Sequence, residues 1–178
     1  MSHRSPEFDE VIEGAKVILT DLYQIPDTHE VMFMQGGASL QFAMIPLNLG
    51  ADGAYIDTGT WSSRAIAEAQ LQGETHVLWS GKDGGYTHVP TMDEVGPLPS
   101  AARYLHYTSN NTIYGTQYPE TPKTTLPLVC DMSSDFISRP VDVSAFDLIY
   151  AGAQKNAGPS GVTVLIIRKS ISRSFTGS

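Results

Sequence analysis

The sequence predicts an α/β domain: a mostly parallel seven-stranded sheet flanked by helices, with the last strand pair antiparallel. Three observations carry this prediction. Short apolar runs alternate with stretches of helical period along the chain. With 178 residues, 41% hydrophobic and 17% charged, the chain suits one globular domain with a single sizeable core. The last two apolar runs are separated by about ten residues, too few for the crossover helix of a parallel pair.

The elements follow in order. Across residues 8–23, Phe8, Val11, Ile12, Ala15, Ile18, Leu19 and Leu22 recur at helical spacing, and Pro26 and Asp27 are expected to stop that helix. Residues 31–34 form a first apolar strand, followed by Gly36-Gly37 and a helix over 38–47. A second strand at 54–57 leads through Thr58-Gly59 into a helix over 62–71, and a third strand lies at 76–79. The stretch 80–100 is rich in Gly, Pro and Asp and reads as loop. A fourth strand at 104–107 runs into the polar segment Thr108-Ser109-Asn110-Asn111-Thr112. The fifth, at 126–130, ends at Asp131; the sixth is at 148–151; the seventh, at 162–167, is the most β-branched. Lys155 falls in the turn between the sixth and seventh. No repeat, low-complexity tract or linker divides the chain, so residues 1–178 read as one domain. The ends look cut: no element precedes the first helix, and another helix begins just before Ser178. A piece of a longer protein is expected.

Composition excludes several functions. A formal net charge of −8 disfavours nucleic acid and anionic membranes, which call for a basic surface. No apolar run reaches the length of a membrane span and no signal-peptide core is present, so a cytoplasmic protein is expected. The single cysteine, Cys130, rules out an internal disulfide and reads as a buried core thiol. The five histidines show no metal-ligand spacing, so no metal is expected; His76 and His106 read as satisfied structural residues in strands. There is no G-x-S-x-G nucleophile elbow.

Ligands of open parallel sheets bind beyond the C-terminal strand ends. The sequence puts Gly37-Ala38-Ser39, Trp61, Thr112, Asp131 and Gln154-Lys155 there. Gly36-Gly37-Ala38-Ser39 reads either as a plain tight turn or as a cradle of N–H groups for a phosphate. Asp131 ends an apolar strand, where a carboxylate is costly unless partnered. It reads as a cap for the following turn, or as the partner of a protonated ring nitrogen. Lys155, one of five lysines, is a solvated turn residue or an amine nucleophile with room among small neighbours. Trp61 is a core residue or a stacking surface, and Thr112 a turn hydroxyl or a donor to a ring oxygen.

Several segments together resemble the phosphoserine aminotransferases, of the aspartate-aminotransferase fold type. They are Met1-Ser2-His3-Arg4-Ser5, Gln35-Gly36-Gly37-Ala38-Ser39-Leu40-Gln41-Phe42, Thr58-Gly59-Thr60-Trp61-Ser62 and Ser109-Asn110-Asn111-Thr112. The most specific are Asp131-Met132-Ser133-Ser134-Asp135-Phe136 and Tyr150-Ala151-Gly152-Ala153-Gln154-Lys155-Asn156.

The resemblance implies the cofactor-binding large domain of an enzyme that uses pyridoxal 5'-phosphate. The implied reaction moves an amino group between L-glutamate and 3-phosphohydroxypyruvate, giving O-phospho-L-serine and 2-oxoglutarate in serine biosynthesis. It implies that Lys155 is the Schiff-base lysine and that Asp131 partners the pyridine nitrogen. Trp61 then stacks on the ring, and Thr112 lies near the ring oxygen. Ala38, Ser39 and Gln154 would contact the cofactor phosphate. Arg4 and His3 would meet the substrate anion, across the interface of a homodimer. Ser39 departs from relatives that carry an arginine there. The family's N-terminal segment and C-terminal small domain, with the arginine that grips the substrate carboxylate, are expected to be missing. The competing readings are another enzyme of this fold type, such as a cysteine desulfurase or decarboxylase, and a truncated fragment that binds cofactor or dimerises without turnover. Trp61 and the core position of Cys130 disfavour the desulfurase.

Overall fold

In the computed structural model, which describes residues 2–172, the chain runs through four helices and nine strands. In order these are α1 (Pro6–Tyr23), β1 (His29–Met34), α2 (Gly37–Leu49), β2 (Gly53–Asp57), α3 (Thr60–Gln70) and β3 (Thr75–Ser80). Then come β4 (Tyr104–Thr108), β5 (Asn110–Asn111), β6 (Thr116–Gln117), β7 (Leu128–Asp131), β8 (Leu148–Gly152), β9 (Thr163–Arg168) and α4 (Lys169–Ser172).

Seven strands make one sheet in the order β1-β9-β8-β7-β4-β2-β3. The pairs β2–β3, β2–β4, β4–β7 and β7–β8 are parallel. The reversal expected at the last pair is present: β9 runs antiparallel to β8, and equally to β1 on its other side. The pair β5–β6, a small antiparallel hairpin outside the sheet, has no counterpart in the expected elements; two-residue strands leave no period to detect. The first helix also stops earlier than Pro26. Gln24 adopts φ 50°, and the Ile25 N–H closes onto Thr20 O at 3.0 Å, so the chain has turned before the proline is reached.

The sheet is buried on both faces, which is why β2, β4, β7 and β8 carry continuous buried runs. On one face α1 packs Tyr23 against Ile56, Leu105, Cys130 and Ile149. On the other, α2 and α3 set Phe42, Ile45 and Ile66 against Tyr104, Val129, Tyr150 and Leu165. Each such large side chain, once buried, contributes about 1.5–3 kcal/mol. Side chains alternate along β7: Leu128 and Cys130 join the α1 face and Val129 the α2–α3 face. Asp131 therefore projects toward α2 and α3. Cys130 is fully buried, as expected, and burial pushes its thiol pKa up.

Candidate active site

The C-terminal ends of β2, β7 and β8 bring most of the sequence-derived candidates together. Asp131 closes β7 at 5% exposure. Its Oδ1 accepts from the Ser133 N–H at 2.9 Å and the Ser133 hydroxyl at 2.6 Å, so the turn-capping reading is real. Tyr150 stands directly opposite on β8, and its hydroxyl meets His106 Nε2 at 2.8 Å. Burial pushes the Asp131 carboxyl above its usual range, opposed by the two Ser133 donors, the Lys155 charge and Tyr150. Among the described residues no cation forms an ion pair with it.

Lys155 ends a 3-10 turn, Ala153–Lys155, that follows β8 directly. Its exposed side chain places Nζ 4.7 Å from the centroid of the Trp61 ring, a contact of about 0.5–1 kcal/mol at an exposed site. Trp61 sits in the first turn of α3, half-buried, with its indole N–H enclosed and unpartnered. The start of α3 is pinned by hydroxyl chemistry. Ser62 Oγ accepts from the N–H groups of Thr58 (2.8 Å) and Gly59 (2.9 Å). The buried Asp57 carboxylate accepts from Ser62, Ser63, Ser80 and Tyr86 at 2.8–3.0 Å. Trp61 is thus held on a fixed helix end. The lysine turn is also tied to the segment after β7, because Asn156 Nδ2 donates to Phe136 O at 2.7 Å.

Ala38 and Gln154 converge on Gly152. A Cβ built at Gly152 would stand 2.9 Å from Gln154 Oε1 and 3.4 Å from Ala38 Cβ, so glycine is what lets the three meet. Gly36 and Gly37 (φ 93° and 69°) turn the chain from β1 into α2. Ser39 is exposed on that first helical turn. Thr112 is exposed in the β5–β6 turn, and its side chain makes no hydrogen bond among the described residues. Its neighbour Asn111 anchors that turn beside α3, donating to Thr58 Oγ1 at 3.1 Å.

His3 and Arg4 are not brought to this cluster. They are exposed ahead of α1, whose Tyr23 packs on the opposite sheet face, and the Arg4 backbone N–H bonds only Ser2 Oγ, at 3.3 Å. The residues sequence reasoning missed are Ser133, Tyr150 and Asp57. Ser133 two residues after Asp131 was a local signal for an Asx-type turn. Tyr150 had none, because its approach to Asp131 depends on strand register. His76 and His106 lie in strands as expected, but neither is fully satisfied: His76 Nε2 and His106 Nδ1 are buried without partners. Among the described residues no group of three or more His, Cys, Asp or Glu side chains is arranged to hold a metal ion. No described helix is long and apolar enough to cross a membrane.

Fold and cluster together define a member of the aminotransferases: the chain belongs to the aminotransferase class-V family, whose model matches residues 1–177. Several of its most similar relatives are phosphoserine aminotransferases. It is 54% identical over 174 residues to the phosphoserine aminotransferase of Geobacillus kaustophilus, covering 96% of this chain and 48% of that protein. A solved phosphoserine aminotransferase, described for radiation damage of its Schiff base, is 52% identical with a TM-score of 0.93, covering 96% of this chain and 48% of the other. The pyridoxal-phosphate-bound phosphoserine aminotransferase of Trichomonas vaginalis is 36% identical with a TM-score of 0.89, covering 97% and 52%. The chain therefore spans about half the length of the curated relatives it matches.

Proposed function

We propose that this chain is the cofactor-binding large domain of a cytoplasmic, homodimeric enzyme that transfers an amino group between L-glutamate and 3-phosphohydroxypyruvate, using pyridoxal 5'-phosphate. One observation carries the reading: an amine poised over an aromatic face, beside a buried carboxylate with which no described cation forms an ion pair. The names of its relatives support the same reading.

The donor set suits the cofactor. Lys155 would hold its carbonyl carbon covalently, and Trp61 would lie flat against the ring. Asp131 would accept from the ring nitrogen, supplying the counter-charge that its burial calls for. Ala38, Ser39 and Gln154 would receive the phosphate at the start of α2, with Thr112 near the ring oxygen. When bound, the cofactor supplies an electron sink for a carbanion at the substrate α-carbon. Lys155 Nζ, when free, would be the base that takes the α-proton and returns it. His3 and Arg4, remote from this cluster within one chain, would serve the substrate anion of a second copy.

The test is chemical. Borohydride reduction with pyridoxal phosphate, followed by peptide mapping, should place the label on Lys155, and O-phosphoserine should convert the bound aldehyde to the amine form. Label elsewhere refutes the assignment. A response to cysteine or aspartate in place of phosphoserine transfers the chain to another reaction of this fold type.

A further inference from the structure

The buried carboxylate of Asp135 has no part in the reading above. It is 4% exposed and lies in the segment that follows β7, four residues beyond Asp131. Its two oxygens reach the two stems of the β5–β6 hairpin, whose turn carries Thr112. Ser109, 1% exposed and just ahead of β5, donates through Oγ to Asp135 Oδ1. Gln117, at the end of β6, donates through Nε2 to Asp135 Oδ2 at 3.1 Å. Neighbouring groups close the same gap. Asn110 Nδ2 donates to Ser134 Oγ at 2.9 Å, and Ser134 Oγ donates to Asn110 O at 3.0 Å. Arg139 Nη2 lies 3.8 Å from Asp135 Oδ2 and donates to Tyr118 O, just past β6, at 2.8 Å.

The hairpin needs such a clasp because it cannot orient itself. Its strands pair only Asn110 with Gln117 and Asn111 with Thr116, and a lone hairpin is marginal in water. Counting protons shows what the carboxylate adds. The Ser109 N–H donates to Asp131 O at 3.0 Å. The Ser109 hydroxyl has one proton for two acceptors in reach, Asp131 O at 3.1 Å and the Asp135 carboxylate. The bond to the carboxylate is charge-assisted and the stronger. Ser109 is therefore held to the Asp131 main chain by its N–H and to Asp135 by its hydroxyl. The hairpin is set against the short segment that presents the Asp131 carboxylate. In a flat ring the nitrogen and the ring oxygen stand at a fixed spacing. An acceptor for one and a donor for the other serve the same ring only if their own spacing is held, to about 0.5 Å.

We propose that Asp135 is a positioning residue which, through Ser109 and Gln117, sets the β5–β6 hairpin so that Thr112 meets the ring oxygen of the bound cofactor. This rests on the pyridoxal-phosphate reading. A carboxylate that only staples the fold would change stability when lost; a positioning carboxylate also changes the electronics of the ring.

The deciding measurement is the pH midpoint of the visible absorption change of pyridoxal phosphate in the holoenzyme. A hydroxyl donating to the ring oxygen favours the more negative form of the bound cofactor, so its loss raises the midpoint. Thr112→Val should raise it by about one pH unit, the effect of one hydrogen bond to a charged oxygen. Asp135→Ala should raise it too, and the double variant should go no higher than Thr112→Val alone, because both act on one bond. The sign is diagnostic, since removing a negative charge by itself lowers the midpoint. Asp135→Asn should leave the midpoint at or slightly below the native value: its amide oxygen still accepts from Ser109, and its amide nitrogen can donate to a turned Gln117. Gln117→Leu alters an exposed residue, should raise the midpoint partway, and carries the same test if Asp135→Ala fails to fold. A native or lowered midpoint in Asp135→Ala and Gln117→Leu, with Thr112→Val raised, overturns this inference and leaves the cofactor reading standing. Fully additive increases in the double variant do the same. A native midpoint in Thr112→Val overturns this inference together with the assignment of Thr112. Absence of any visible band with pyridoxal phosphate overturns the cofactor reading as well.

Discussion

Replacing Ser133 with alanine removes one hydroxyl that serves two buried groups. Its Oγ donates to Asp131 Oδ1 at 2.6 Å and accepts from the Gly152 N–H at 3.0 Å. Losing a hydrogen bond to a charged acceptor costs about 1.5–3 kcal/mol, and stranding a buried N–H costs about 1–3 kcal/mol. The two share an atom and do not add fully, so the expected loss is about 3 kcal/mol at neutral pH. Its pH dependence has a definite sign. Burial raises the folded-state pKa of Asp131. Between the unfolded carboxyl value of about 4 and that higher value, the folded chain holds the extra proton, and stability falls as pH rises. Ser133→Ala raises the folded value further. Its cost should be greatest at neutral pH and shrink in mild acid, where a protonated Asp131 no longer draws on a charge-assisted donor. Urea unfolding of both proteins, followed by tryptophan fluorescence at the two pH values, measures the difference. A neutral-pH loss under about 1 kcal/mol, or the same loss in acid, refutes the reasoning.

Three further outcomes follow from the same geometry. Asp57→Asn should cost about 2–4 kcal/mol in urea unfolding, because an amide N–H would face hydroxyls that now all donate to the carboxylate. It should also loosen Trp61, read as a changed tryptophan emission before unfolding begins. Gly152→Ala should weaken pyridoxal-phosphate binding several-fold in a fluorescence titration, since the new methyl displaces Gln154 and presses on Ala38. Cys130 should resist a thiol-specific reagent in the native protein and react stoichiometrically once denatured, because burial raises its pKa and closes off access.

The order of strands and helices was legible because each apolar run and each helical period is a local property of the chain. The antiparallel turn of β9 was legible for the same reason, since ten residues cannot hold a crossover. Lys155 and Asp131 stood out as charged residues where apolar strands end, and the fold carries them to the same side. What sequence could not reveal was pairing across strands. Tyr150 reads as one more apolar strand residue until register sets it opposite Asp131. Asp57 resembles any strand-ending acid, and its four hydroxyl partners come from three separate segments. Arg4 and His3 were visible only through resemblance, and among the described residues no contact brings them to the site.

The amide bridge from Asn156 to the Phe136 carbonyl has a mechanical consequence. It ties the turn bearing the amine to the segment that follows the carboxylate, so that movements of the two are coupled. Travel of the amine is then favoured through rotation about the carbon stem of Lys155, four methylenes long, over displacement of its main chain. Cutting the tie with Asn156→Ala would trade that coupling for slack.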